Sequence, residues 1–363
     1  MARKLSSDKI LFATTLGLVL VGVIMVFSAS AVLASEKFHS PYYFLLRQAI
    51  WALLGLAGMS VLMHVDYHHY RKPIIVFTSF FVCGALLLAV FFLDKSHNTH
   101  RWFKLGVLSF QPSELSKIAL VIFLAYFLEK RSGNVNDLRH TLIPCFAVLT
   151  VFILLIVAEP DLGTSVCIVI VAFVLLFAAG LSYRYVIGAL LLLLPPLFCL
   201  VYFFEYRMRR ILAFLNPWRD PQGAGFQIIQ SLIAVGTGGL TGVGLMEGKQ
   251  KLFYLPEPHT DFIFAVIGEE LGLVGSLALI VLFGIFLWRG IRISLRAPEP
   301  FGQFLGVGLT MMVVCQAFIN MSVVLSLVPT KGIPLPFISS GGSSLLINLM
   351  GVGVLLNVSQ HSD

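Results

Sequence analysis

The chain has 363 residues, of which 58% are hydrophobic and only 12% charged, with a mean hydropathy of +0.92; soluble domains carry about 25% charged residues. That excludes a soluble globular domain, and the net charge of +7 does not signal nucleic-acid binding, because Lys and Arg sit at the ends of apolar stretches rather than in one patch. Cys83, Cys145, Cys167, Cys199 and Cys315 all lie inside apolar windows, spread over five predicted helices, which argues against a disulfide framework or a zinc site.

A bilayer-spanning helix needs about 20 mostly apolar residues. The sequence offers ten such windows, near 10–33, 46–64, 73–93, 113–129, 141–158, 162–180, 184–204, 261–288, 302–328 and 342–358. The fold class expected is an all-α polytopic membrane protein, with ten transmembrane helices and one large extracytoplasmic loop, 205–260, between the seventh and eighth. Residues 1–363 then form a single transmembrane domain. The first window is longer than a signal-peptide core, so it reads as a retained anchor. Ten spans put both termini on one side. Short loops place Arg3, Lys4, Lys9, Arg71, Lys72, Lys130, Arg131, Arg139, Arg184, Arg289, Arg292 and Arg296 together with the termini, which makes that side cytoplasmic. Lys37, Arg47, Lys95, Arg101, Lys104 and Lys331 fall opposite. Orientation rests on discounting the long loop, which obeys the charge rule less well.

After the second window, His64, His68 and His69 read as interfacial, since no Cys or carboxylate at ligand spacing completes a metal site. The stretch from Arg101-Trp102 to Gln111-Pro112-Ser113-Glu114 and Lys117 is denser in function. Pro112 suits a first-turn position and Glu114 favours the helix dipole. Glu114 and Lys117 share a face, and Lys117 lies about one turn inside an apolar run, where a lone charge is expensive. Two readings stand: an inward-facing polar site, or a local pair with snorkelling. Glu159-Pro160-Asp161 is a tight acidic turn that either touches the site or only caps the next helix, and capping with a hydrogen-bonding role is the preferred reading.

In the long loop, Gly236, Gly238, Gly239, Gly242, Gly244 and Gly248 crowd ahead of Lys249, and the spacing is not that of a Walker A loop. The glycines suit a mobile lid or a phosphate cradle. The loop ends in Glu257, His259 and Asp261, where an apolar helix begins. A carboxylate at a membrane boundary is either used or caps the helix. Inside that helix Gly268, Gly272 and Ser276 repeat every four residues, a close-packing spacing. Glu269, about 12 Å deeper than Asp261 on a continuous helix, and Glu270 read as structurally paired. The last connection holds Lys331 among prolines and ends in Ser343, where a helix start offers free N–H groups to an anion.

These motifs, in this order and over nearly the whole chain, resemble the SEDS family (shape, elongation, division and sporulation) of multi-spanning peptidoglycan glycosyltransferases. The resemblance is carried by Arg101-Trp102, Gln111-Pro-Ser-Glu114, Pro160-Asp161-Leu-Gly163, Gly225-Phe-Gln227, Leu255-Pro-Glu257 and His259-Thr-Asp261-Phe-Ile-Phe. Pro329-Thr-Lys331-Gly resembles the FtsW, or division, branch more than RodA, whereas Ser340 replaces the usual aromatic. The resemblance implies polymerisation of lipid II at the outer face of the bacterial cytoplasmic (inner) membrane, at the division septum, with Asp261 matching the essential acid as general base. Substrate and pyrophosphate would then meet Arg101, Lys117, Gln111, Ser113, Glu114, Lys249, Glu257, His259, Lys331 and Ser343. It further implies a class B penicillin-binding protein and other division or elongation proteins as partners. A divalent cation, Mg or Mn, would suit the pyrophosphate, although no ligand cluster in the sequence demands it. Two rival classes stay open: a lipid II flippase using the same charged cavity, and a non-catalytic scaffold for a partner synthase.

Overall fold

The computed structural model describes residues 6–93, 101–105 and 108–362. Arg3, Lys4 and Lys95, three of the topology signals, lie outside the described residues. Twelve α-helices follow in chain order: α1 (Lys9–Phe38), α2 (Tyr43–His64), α3 (Pro73–Leu93), α4 (Pro112–Lys130), α5 (Ile143–Ala158), α6 (Leu162–Ala178), α7 (Tyr183–Tyr202), α8 (Glu205–Leu215), α9 (Phe226–Gly238), α10 (Ile263–Arg296), α11 (Pro300–Val324) and α12 (Gly342–Ser359). Seven spans, α1, α2, α3, α5 with the helical turn before it (Leu138–Ala158), α10, α11 and α12, are long and apolar enough to cross a membrane. The other three expected windows are also helical, as α4, α6 and α7.

Helix starts follow local chemistry. Asp8 caps α1 by accepting from the Leu11 N–H at 2.8 Å, Asp161 caps α6 through the Thr164 N–H at 3.1 Å, and prolines open α4 and α11, where a missing N–H costs nothing. The all-α expectation needs one amendment. Phe103–Leu105 and Leu108–Phe110 form an antiparallel hairpin, β1 and β2, with Phe103 opposite Phe110. The long loop is also more ordered than its name suggests, since α8 and α9 occupy it.

The centre of the bundle is α11 and α12, whose apolar windows are 78% and 83% buried, against 22–44% in the other candidate spans. Those others turn large side chains outward, such as Leu53, Phe81 and Phe92, a surface that would be costly in water and suits lipid. Helices α2 and α12 run parallel and touch closely: a Cβ on Gly353 would stand 2.5 Å from the Met59 carbonyl, and one on Gly55 2.5 Å from Leu349. At about 1.5 Å per residue, α2 is about 33 Å long, the thickness of the hydrocarbon core. All five cysteines are free thiols.

Helix α10 is not continuous. At Gly272 the backbone turns to φ 64°, ψ −159°, and the glycine-rich segment after α9 wraps the break. The N–H groups of Val243 and Gly244 donate to the Glu269 and Glu270 carbonyls (3.0 and 3.1 Å), while Leu273 and Val274 donate to Gly239 and Leu240 (3.0 and 3.1 Å). A Cβ on Gly242, itself at φ 83°, would stand 2.1 Å from the Glu270 carbonyl. The two glutamates finish the attachment. Glu269 accepts from the Lys249 and Gln250 N–H groups, and Glu270 from Met246 N–H, Ser28 Oγ and Lys251 Nζ. The pairing expected of both glutamates is therefore present, but a free lid is not: the segment is bound down along its length. Helix α10 begins at Ile263, after Asp261, and Glu269 lies on its first stretch, before the break.

Candidate active site

Asp261 does not cap α10. The N-cap position is Phe262, with no side-chain bond to the helix. What fixes Asp261 is its backbone and its neighbours. Asn320 of α11 donates to the Asp261 carbonyl at 2.8 Å and to the Ile333 carbonyl at 2.7 Å. Ser339 Oγ donates to the Thr260 carbonyl at 2.6 Å while accepting from Leu335 N–H, and Ser340 N–H donates to the His259 carbonyl at 2.9 Å. The segment before α10 and the last connection are thus stitched together. Gly332 lies against the carboxylate, since a Cβ there would stand 2.8 Å from Asp261 Oδ2.

The electrostatics follow from that placement. Burial, with the Glu257 carboxylate second, pushes Asp261 up to about 6, against the pull of Arg210 and Arg101. An acid poised there matches a proton acceptor working near neutral pH. Lys331 is held below its ordinary value by burial first and Arg207 second, and burial holds His259 low as well. Arg101 donates through Nε to the Glu159 carbonyl at 2.7 Å and also to the Pro160 carbonyl. Arg210 donates to the Thr330 carbonyl at 3.0 Å. Glu159 itself is fully buried with neither carboxyl oxygen hydrogen-bonded, and burial, with Asp161 adding, pushes it up to about 8.

The expected residues divide into groups. Asp261, Glu257 and Arg101 share one electrostatic neighbourhood, His259 feels Glu257, and Lys331 feels Arg207 and Asp161. Gln111 and Ser113 stand one tier back, donating to Asp161 Oδ2 at 2.9 and 3.2 Å, where Thr164 Oγ1 also donates at 2.8 Å. Glu114 and Lys117 form a deeply buried pair at 2.9 Å, each 3% exposed. Lys117 Nζ also donates to Gln316 Oε1 at 2.6 Å, and Gln316 passes the link to the Pro334 carbonyl at 2.9 Å. Lys117 therefore props the last connection through α11, the local pair having formed inside the protein rather than by snorkelling. Lys249 is exposed, its N–H held by Glu269. Ser343 is fully buried at the start of α12.

Sequence reasoning passed over Arg210, Gln316, Asn320 and Gly332. Gln316 and Asn320 had a signal, two amides four apart on one face of an apolar helix; Gly332 stood in the Pro329-Thr-Lys331-Gly motif without a role of its own, and Arg210 had none. The reading of the histidines also changes. Among the described residues, the grouping of three potential metal ligands is Asp66, His68 and His361, so a carboxylate two residues away does join His68, and the fold adds His361. It lies at the opposite end of α2 from Phe44, whose ring meets that of His259 at 4.4 Å.

The family model described as "Cell cycle protein", covering FtsW, RodA and SpoVE, matches residues 8–363. The chain belongs to the FtsW/RodA/SpoVE family. Similar relatives in that family include a probable peptidoglycan glycosyltransferase FtsW of Geobacter sp. (strain M18), 48% identical over 97% of this chain and 96% of that one. Stage V sporulation protein E of Bacillus subtilis is 44% identical over 99% of both chains. Among solved structures, a chain of a peptidoglycan synthase complex that coordinates polymerization and crosslinking superposes with a TM-score of 0.80, at 31% identity over 98% of both chains. The rod shape determining protein RodA of Thermus thermophilus superposes at 0.69, with 26% identity and 99% coverage of each. These likenesses extend over 97–99% of this chain.

Proposed function

We propose that this protein is a peptidoglycan glycosyltransferase that polymerises lipid II into glycan strands for septal wall synthesis, with Asp261 as general base. The observation that carries the reading is the Asp261 carboxylate, half-buried, bound to no helix N–H, and set in the field of Arg101 and Arg210 with Lys331 nearby. An acceptor sugar hydroxyl attacks the anomeric carbon of the donor. Asp261 takes its proton, the bond from that carbon to the pyrophosphate oxygen breaks, and undecaprenyl pyrophosphate leaves with the bonding pair. A single displacement inverts the α-linked phosphate to a β-glycosidic bond. Positioned proton transfer is typically worth about 10²–10⁴-fold, and the cationic side chains stabilise the charge growing on the leaving group.

The Asp66, His68 and His361 group is too far from this chemistry to serve it. Asp261 and its neighbour Glu257 would supply two carboxylates to a divalent cation, Mg or Mn, whose remaining ligands would be substrate phosphate oxygens and water, the manner in which Mg²⁺ is commonly held. The cation would neutralise the pyrophosphate.

The same reading takes the ten helices as spans of one domain. Both termini are then cytoplasmic, and the segment 205–260 and the last connection lie outside. Its partners are lipid II, a class B penicillin-binding protein and other division or elongation membrane proteins. Turnover of lipid II by purified protein, with and without such a transpeptidase, tests the proposal. A well-folded Asp261→Asn protein that still extends glycan strands sinks the general-base role. Transfer of labelled lipid II across vesicles without polymer favours a flippase, and indifference of septal synthesis to Asp261 favours a scaffold.

A further inference from the structure

Beside the His259–Thr260 backbone, and not lined by Asp261, a cavity of about 160 Å³ opens between the start of α2, the β1–β2 hairpin and the start of α12. Its volume is that of about five liquid waters. Its polar lining is rich in donors. Arg47 reaches in from α2, holding Ser109 Oγ through Nη2 at 2.8 Å. The indole of Trp51, 5% exposed, has no partner for its Nε1–H. It points at the start of α12 so closely that a Cβ on Gly342 would stand 2.1 Å from Nε1.

Helix α12 has no side-chain cap, and its first backward bond comes from Leu345 N–H to the Gly341 carbonyl. The N–H groups ahead of it are those that a helix leaves for an outside acceptor. Two further buried atoms nearby have no partner, His259 Nδ1 and Ser343 Oγ. An indole N–H, a guanidinium and helix N-terminal amides only donate, so the ligand that satisfies them together must bring several acceptors, and negative charge favours the dipole.

We propose that this cavity is an oxyanion subsite, which takes a phosphate or pyrophosphate group through Arg47, the Trp51 indole N–H and the first-turn amides of α12. It is a second anion site, apart from Arg101, Arg210 and Lys331. Its purpose rests on the polymerase reading, because an enzyme that joins two lipid-linked sugars has two pyrophosphates to hold. Its existence does not.

Binding is therefore measured without turnover, on full-length Asp261→Asn protein in phosphatidylcholine nanodiscs, by titration with farnesyl pyrophosphate and separately with inorganic pyrophosphate. A charge-assisted hydrogen bond is worth about 1.5–3 kcal/mol, or about 10–100-fold in affinity. Arg47→Gln and Trp51→Phe should each weaken farnesyl pyrophosphate by about tenfold or more, at unchanged unfolding midpoint. Arg47, at the surface end of the cavity, keeps the test decisive if Trp51→Phe does not fold. Equal loss for inorganic pyrophosphate identifies the free anion as sufficient, loss for the farnesyl compound alone identifies a lipid-linked ligand, and competition by added phosphatidylglycerol identifies a headgroup. Affinities for every probe that are unchanged in Arg47→Gln, or in a folded Trp51→Phe, overturn the proposal.

Discussion

Replacing Asp261 by Asn should stabilise the folded protein while removing its activity. The side chain ionises at 3.8 in an unfolded chain and at about 6 in the folded one, chiefly through burial and then through Glu257. Below pH 3.8 both states hold the proton and the residue contributes nothing. Between the two values the folded state keeps a proton that the unfolded state has released, and above about pH 6 the folded protein bears the full cost of a buried carboxylate. The gap, at about 1.4 kcal/mol per pH unit, sets a ceiling of about 3 kcal/mol, which solvent at the partly exposed side chain reduces. Asn carries no charge and loses no cap, since no α10 N–H uses the carboxylate. Unfolding midpoints of the two purified proteins should coincide near pH 3.5 and diverge through pH 4–6, with the Asn form higher at pH 7.5. A lower midpoint for Asn at pH 7.5, or a gap independent of pH, refutes the buried-carboxylate argument.

Other expectations concern the same neighbourhood and its supports. Polymerisation should rise as pH passes through about 6, when Asp261 loses its proton; Glu257→Gln, by removing a like charge, should move that limb to lower pH, and Arg210→Gln should move it to higher pH. Lys117→Met leaves the Glu114 carboxylate buried without its partner and should cost about 3–5 kcal/mol in chemical unfolding, with Glu114→Gln/Lys117→Met recovering most of it; a fully stable single variant would show that the pair contributes nothing. Gly242→Ala, whose methyl would meet the Glu270 carbonyl, should free residues 239–250 to protease while Gly236→Ala, in open space, should not. Single cysteines at Arg219 and Lys331 should react with an impermeant reagent in intact cells, and one at Arg292 should not; labelling at 292 but not 219 inverts the topology.

Hydropathy made the helices legible, because each apolar window is bounded by charged or turn residues and the structure has a helix in every one. Motif order made the neighbourhood of Asp261 legible. What escaped depends on contacts between distant segments. Nothing local reveals that Arg210 points to the connection 120 residues later, or that Gly332 is small because Asp261 stands against it. The Gly-rich run looked like a lid since glycine frequency reports freedom of φ, and here that freedom is used to approach a helix backbone. His361 meets Asp66 and His68 only because α2 and α12 run parallel, a fact that periodicity does not contain.

The break at Gly272 bears on how the chain enters the membrane. A helix interrupted inside hydrocarbon leaves carbonyls and amides that lipid cannot satisfy, at several kcal/mol per group. Here the groups of Glu269, Glu270, Leu273 and Val274 find their partners in residues 239–244, which precede α10 and so leave the ribosome first. The partner is already made when the interrupted helix arrives. The break is therefore satisfied only when residues 239–244 and 269–274 are in place together, so the interrupted helix depends on a segment made before it.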